Sequence, residues 1–466
     1  MNCDERATQL EDATRNLREA GVEFIQIEMP DFSGSLRGKF APLEKGLSAY
    51  GSAMSPLTFS MRGGEEFTLT PWSYMEATGF PKLTAVADPG TATQWPWQPD
   101  IASVICDWFM PDGSVCPLDG RQILARVTRA LSEMGFEANA ACEFEIYIYK
   151  NDEDAIARGA YGELLPWGRQ MDCYSLGRND GYRDFATEFM RRLRGVGIPI
   201  EVFHTEYGYG MNEFTNAYQP AVKAADDAAR SKLYLRQLCT ERDLIATFMP
   251  VTGMSEKNSL AGCHHNISLW RDGQNVLWDA KTSSLSLIGR QFLAGMLRTM
   301  RDFHAFFRPW VNSHRRVDRA WWNPDDASWG IENHFAAVRV VHGVRPEKYT
   351  RFEHRAPGPD VNFYLSLAAM LWGGLQGIQD QLEPPEPAVG DTGDRFEMLP
   401  KTLEDSVDAF AASESARELL GDIFVEQFVA VKRDEANAYR TWLKESGTDD
   451  QTGVTQWEYT HYFEWA

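Results

Sequence analysis

Two glutamates, Glu143 and Glu145, stand two residues apart in an otherwise apolar run from Ala140 to Tyr149. A β-strand points residues i and i+2 to the same face, so this run predicts a strand carrying two carboxylates side by side. The aromatic and aliphatic residues around them favour burial. Burying such a pair is costly unless cations sit between the carboxylates. The alternative is an amphipathic strand whose acids face water.

Other segments carry groups of the same kind. Glu206 and Glu213 frame Tyr207-Gly208-Tyr209-Gly210-Met211-Asn212, where two glycines let the backbone turn tightly and aim both ends at one point. A hairpin with surface acids is the competing reading. In Gly262-Cys263-His264-His265-Asn266-Ile267-Ser268, strand alternation puts His264 and His265 on opposite faces, so one can be a ligand while the other packs. Glu353 and Arg355 share a strand face, which suits a metal carboxylate beside a cation that grips an acidic substrate. Ligands from such distant segments would hold two or more hard cations and, between them, the phosphates of ATP. Taken singly, each segment could equally be a set of surface ion pairs.

With 466 residues the chain is long enough for two or three domains, and 43% hydrophobic with 24% charged residues is the balance of a soluble globular protein. A net charge of −21 without a block of Lys or Arg argues against nucleic acid and anionic membranes as partners. Seven cysteines without CxxC spacing predict no disulfide framework and a reduced cytoplasmic setting. The charged stretch from Met1 to Leu17 is not a signal peptide, and no run approaches the roughly 20 apolar residues of a membrane span.

Periodicity predicts a helix over Arg6–Ala20, strands over Val22–Glu28, Leu36–Ala41 and Ala102–Trp108, and a boundary near Val115. A helix capped by Asp119 should follow, over Gly120–Met134. Beyond it, a strand over Pro199–Phe203 alternates with helices over Phe185–Val196, Ala221–Arg242, Gly289–Phe307 and Leu365–Gly377. Helices capped at Ser406 and Ser413 should fill Leu403–Lys444. The expected class is α+β, with one domain over residues 1–115 and a second over 116–466.

The order of the motifs is more specific than any one of them. Glu143-x-Glu145, the Glu206-x-Gly208-x-Gly210-x-x-Glu213 loop, Ala246-Thr247-Phe248-Met249-Pro250, the Gly262–Trp270 segment and Arg351-Phe352-Glu353-His354-Arg355 followed by an apolar helix together resemble the glutamine synthetase family, from about Ile25 to Asp380. The resemblance implies an N-terminal β-grasp domain and a catalytic domain with an antiparallel half-barrel. It also implies a ring-shaped homo-oligomer, a dodecamer or similar, with active sites between neighbouring subunits. Position by position, it implies Glu145, Glu206 and Glu213 for one Mg²⁺ or Mn²⁺ ion and Glu143, His264 and Glu353 for the other. The implied ATP contacts are Glu201, Ser268, Arg339, Lys348 and Arg351, with Asn266 where the family has a nucleotide-side histidine; Arg339 is expected among the catalytic residues as well. Arg316 and Arg355 match the arginines that hold the acid substrate and its transferred phosphate, and Glu206 lies beside the amine entry as the expected base.

Four departures redirect that expectation. The segment Gly51–Met61, which should carry an ammonium-binding aspartate, contains no acid. In the flap from Arg316 to Pro324, gap-free matching puts Trp322, beside Trp321, where the family has a glutamate; Asp318 and Asp325 are near but out of register. Ser259-Leu260 replaces an Asn-Gly pair that contacts the amino-acid substrate, and His334 replaces a phosphate-contacting arginine. An indole offers an apolar wall and a cation–π face in place of a carboxylate, which favours an organic amine over ammonium. The expected reaction is ATP-dependent joining of glutamate, through an acyl phosphate, to a small apolar or aromatic primary amine. A glutamine synthetase with a relocated ammonium site and a silent structural or regulatory member are the competing readings.

Overall fold

The computed structural model describes residues 3–74, 79–168, 170–177, 181–253, 260–317, 322–449 and 453–466. Near the N-terminus, Phe24–Pro30 and Leu36–Pro42 form an antiparallel hairpin. Its turn is fixed by Asp31, whose side chain accepts from the backbone N–H groups of Ser33 and Ser35, and by Gly34 at φ +81°. Phe24–Pro30 then runs parallel to Gln98–Phe109, a strand far along the chain. Leu83–Ala87 and Ser52–Met54 extend the sheet on the other side, and Thr93–Trp95 also pairs with Gln98–Phe109. The helix Cys3–Glu19 is tied to this sheet through Arg6, which donates to the carbonyls of Val86 and Ala87.

The larger sheet is ordered Ile200–Thr205, Met211–Asn216, Glu137–Lys150, Cys263–Arg271, Arg351–His354, Val338–Val341, Trp329–Ile331. Neighbours along this path are antiparallel except the last pair, which is parallel. Glu137–Lys150 is central because its odd-numbered acids face one way while Phe144, Ile146 and Ile148 on the other face are fully buried. Behind it, Leu287–Thr299 and Phe363–Gln379 approach so closely that a Cβ at Gly295 would collide with the backbone of Gly373 and Gly377. Helices Gly120–Glu133 and Ala221–Glu241 complete this layer.

Buried ion pairs join the smaller sheet to the helical layer. Arg121 donates to Asp88, Asp107 and Asp226 at 2.7, 2.8 and 2.9 Å, and Arg230 donates to Glu28 at 2.7 Å. The smaller sheet is therefore locked to helices Gly120–Glu133 and Ala221–Glu241 by charges held away from water.

Most expected elements are present with ends shifted by a few residues, and Asp119 caps its helix by accepting from the N–H groups of Arg121 and Gln122. Two expectations fail. The predicted helix Gly289–Phe307 stops at Thr299 and resumes only as the short helix His304–Phe307. There Asp302 accepts from Ser413 and Arg301 pairs with Glu397, so tertiary bonds override helical periodicity. Ser406 lies inside a helix rather than at its cap: Thr402 caps Leu403–Ala412 by accepting from the N–H of Asp405. Ser413 does cap the next helix, Glu414–Leu420.

Candidate active site

Antiparallel register sets the ligand-type side chains beside one another. Across successive strands His204 faces Glu213, Glu213 faces Glu145, Glu143 faces His264, and Asn266 faces Glu353. These acids and His264 line a cavity of about 690 Å³, together with Arg316, Arg339, Arg355, Leu260, Trp322 and His334. Two clusters form inside it. His264 Nδ1 stands 3.6 Å from carboxylate oxygens of both Glu143 and Glu353. His204 lies 3.0 Å from Glu213 and 3.6 Å from Glu206.

Their electrostatics suit divalent cations. Burial, with Arg355 and Arg316 nearby, pushes His264 down to about 3, so its imidazole is neutral near pH 7. Its Nδ1 is buried without a hydrogen-bond partner while facing two carboxylates, the arrangement of a lone pair offered to a metal. Burial, then Glu143 and Glu145, push Glu213 up to about 8 despite the hydrogen bond from His204. A cation would remove that repulsion. Burial opposes ionisation of Glu353 as well, yet Arg355 and Arg339 hold its carboxyl below the usual carboxylate range. The residues present thus fit two hard cations.

Arg316 is 1% exposed and is aimed by its own bonds: Nη1 donates to the carbonyls of Arg355 at 2.9 Å and Ala356 at 3.2 Å. Gly262 makes room, because a Cβ there would collide with the Arg316 guanidinium and crowd the His264 ring. Glu145 accepts from the Gly262 N–H. Trp322 holds the left-handed backbone at φ +60°, a strained conformation for a bulky residue, and its ring meets Tyr207 and His334 at centroid distances of 6.3 Å each.

A second cavity of about 320 Å³ is lined by Glu201, Asn266, Ser268, Lys348 and Arg351. Arg351 donates to Asn266 at 2.9 Å, and Ser268 accepts from Trp270 at 2.9 Å. Cations, amides and hydroxyls around one slot fit a nucleotide. Glu143 lines both cavities, so cations held there would stand where a terminal phosphate and a carboxylate substrate could meet.

Sequence reasoning placed most of these residues, with exceptions. Arg339, expected both as a nucleotide contact and as a catalytic residue, lines the larger cavity and not the second one, and is held by Glu353 at 2.9 Å and Glu332 at 2.7 Å. Ser259 and Trp321 lie outside the described residues. Three residues were missed: His204, Tyr207 and Glu332. His204 had a signal, since it stands two residues before Glu206 and shares its side of an extended chain. Glu332 had none, because only folding brings it to Arg339.

The chain is similar to known proteins along most of its length. The glutamine synthetase catalytic domain family matches residues 117–462. Type-1 glutamine synthetase 2 of Dictyostelium discoideum is 30% identical, over 95% of this chain and 84% of that one. Glutamate–isopropylamine ligase of a Pseudomonas species is 28% identical over 95% of each chain. Gamma-glutamylethanolamide synthetase GlnA4 of Streptomyces coelicolor is 29% identical over 95% of this chain and 93% of that one. A solved GmaS/ADP complex superposes with a TM-score of 0.78 at 25% identity, covering 96% of this chain and 98% of that one. The shared architecture is mixed helix and sheet with a curled half-barrel. The chain therefore belongs to the glutamine synthetase family, ATP-dependent and metal-using enzymes that form carbon–nitrogen bonds between a carboxylate and an amine.

Proposed function

We propose that the chain joins the γ-carboxylate of glutamate to a small apolar or aromatic primary amine, at the expense of ATP, to give a γ-glutamylamide. The reading rests on one observation above all. Trp322, not a carboxylate, stands in the flap position, lines the larger cavity and packs with Tyr207 and His334. Asp325 is not among the described residues that line that cavity. An indole has one donor and no acceptor, so it cannot take the proton that a nucleophilic amine loses, whereas its face suits an organic group.

The roles divide accordingly. Glu143, His264 and Glu353, and Glu145, Glu206 and Glu213, would hold Mg²⁺ or Mn²⁺, which neutralises phosphate charge when bound. Arg316 and Arg355 hold the acid and the transferred phosphoryl group by donating to their oxygens. Glu206 takes the amine proton; its Oε2 accepts from the Tyr207 N–H at 2.9 Å, which aims the carboxylate. Residues 1–115 and 116–466 act as two domains, and a ring of subunits in the cytoplasm completes each site between neighbours. No helix among the described residues is long and apolar enough to cross a membrane.

The test is ADP release with glutamate and a panel of amines that includes ammonium. Apolar or aromatic amines should win, and Trp322→Glu should raise ammonium use relative to them several-fold. Ammonium preferred over every organic amine by the wild type, or an amine preference unmoved by the substitution, would overturn the reading. ADP release with none of them would point to a silent family member.

A further inference from the structure

The strands that carry Glu143 and His264 have a reverse face, turned from the cavity. Alternation sends Cys142 there from one strand and Cys263 and His265 from the next. Cys142 is the register partner of His265, and Cys263 sits diagonally across, opposite Phe144. All three are at most 1% exposed. A sulfur from each cysteine and a ring nitrogen of His265 lie within 4.8 Å of one another.

Neither thiol is in a disulfide, and the register disfavours one. Diagonal cross-strand neighbours are roughly 7–8 Å apart, whereas a disulfide needs Cβ atoms about 3.5–4.5 Å apart. The imidazole supplies an independent sign. His265 Nε2 is 2.7 Å from the Ser366 hydroxyl, a bond that fixes the ring. Nδ1 is buried with no oxygen or nitrogen partner among the described residues, and the ring's other polar neighbour is the Cys142 thiol. A histidine fixed through one nitrogen by a hydroxyl, with the other bare beside two sulfurs, is oriented as a metal ligand is.

We propose that Cys142 Sγ, Cys263 Sγ and His265 Nδ1 form a buried site for a thiophilic closed-shell cation, Cu⁺ or Zn²⁺, on the opposite face of the sheet from the catalytic pocket. Two soft sulfurs and an imidazole reject Mg²⁺ and Mn²⁺, which the carboxylate clusters favour, so the two faces sort cations by hardness. Three protein donors match trigonal Cu⁺; Zn²⁺ would add a fourth ligand. Because the donors are sealed from solvent, the ion enters as the chain folds. Once bound, it ties together the strands that present Glu143 and His264.

The experiment expresses the full-length protein in medium supplemented with copper or with zinc and measures metal per chain after removal of loosely bound ions with EDTA. Near one equivalent of Cu⁺ or Zn²⁺ is expected in the wild type, and at least a tenfold loss in Cys142→Ser and Cys263→Ser. Cys173→Ser serves as the control, because that thiol neighbours Glu206 on the catalytic side. Should the serine variants fail to fold, X-ray absorption on the metal-loaded wild type decides alone, with two sulfurs and a nitrogen expected around the metal. A wild type that retains neither metal, variants that retain as much as wild type, or an all-oxygen/nitrogen shell would overturn the proposal.

Discussion

At the proposed cation site, Glu213 would couple proton and cation in a single side chain. With its carboxyl pushed up to about 8 by burial and by Glu143 and Glu145, a proton competes for the position a cation needs. Cation affinity should therefore rise with pH up to about 8 and then level off. The apoprotein carries the opposite sign. A carboxyl raised above its ordinary 4.5 stabilises the fold at low pH and loses that contribution as pH rises to about 8. The gain in melting temperature on adding Mn²⁺ should thus be larger at pH 8 than at pH 6. Glu213→Gln should flatten that difference and lower ADP release by about 10²-fold or more. An unchanged rate in the folded variant would remove Glu213 from the site. At this scale the sequence disclosed the acids, because a two-residue period and the motif order are local. It hid the hydrogen bond from His204, which depends on hairpin register, and the left-handed backbone of Trp322, which contradicts the local preference of a bulky residue.

Among the elements, the crossing of Leu287–Thr299 with Phe363–Gln379 is the most demanding contact, since it needs glycine on both helices. Gly377→Ala would drive a methyl group into the Gln291 carbonyl and the Gly295 backbone. It should destabilise the protein by about 1–3 kcal/mol, read as a lower midpoint in urea with unchanged slope. Both helices were visible in the sequence as apolar runs, but their close approach was not. The failures at Thr299 and Ser406 have a common cause. Local patterns offered several acceptable stops and caps, and distant partners such as Ser413 and Glu397 chose among them.

For the whole molecule, Arg121 holds the smaller sheet to the helical layer through Asp88, Asp107 and Asp226. Arg121→Met would leave, among the described residues, Arg6 alone to pair with Asp107 and only the Tyr364 hydroxyl to donate to Asp226 from a side chain, and should cost about 3–5 kcal/mol, seen as loss of the cooperative melt near physiological temperature. Assembly gives a separate prediction: light scattering at assay concentration should find a ring-sized oligomer, and an active monomer would refute the shared-site arrangement. The sequence announced the α+β class but not that Phe24–Pro30 would pair with Gln98–Phe109, because parallel pairing joins segments with no sequence proximity. The spread of the metal-type ligands along the chain also matters before folding ends. At about 5–20 residues per second, Glu143 and Glu145 leave the ribosome roughly 10–40 s before Glu353 does. Until then their strand, with its β-prone Ile146-Tyr147-Ile148-Tyr149, lacks Glu353, and for the first half of that interval it lacks His264 as well. The two negative charges then repel other nascent copies, so the groups proposed to hold cations first serve as gatekeepers against aggregation.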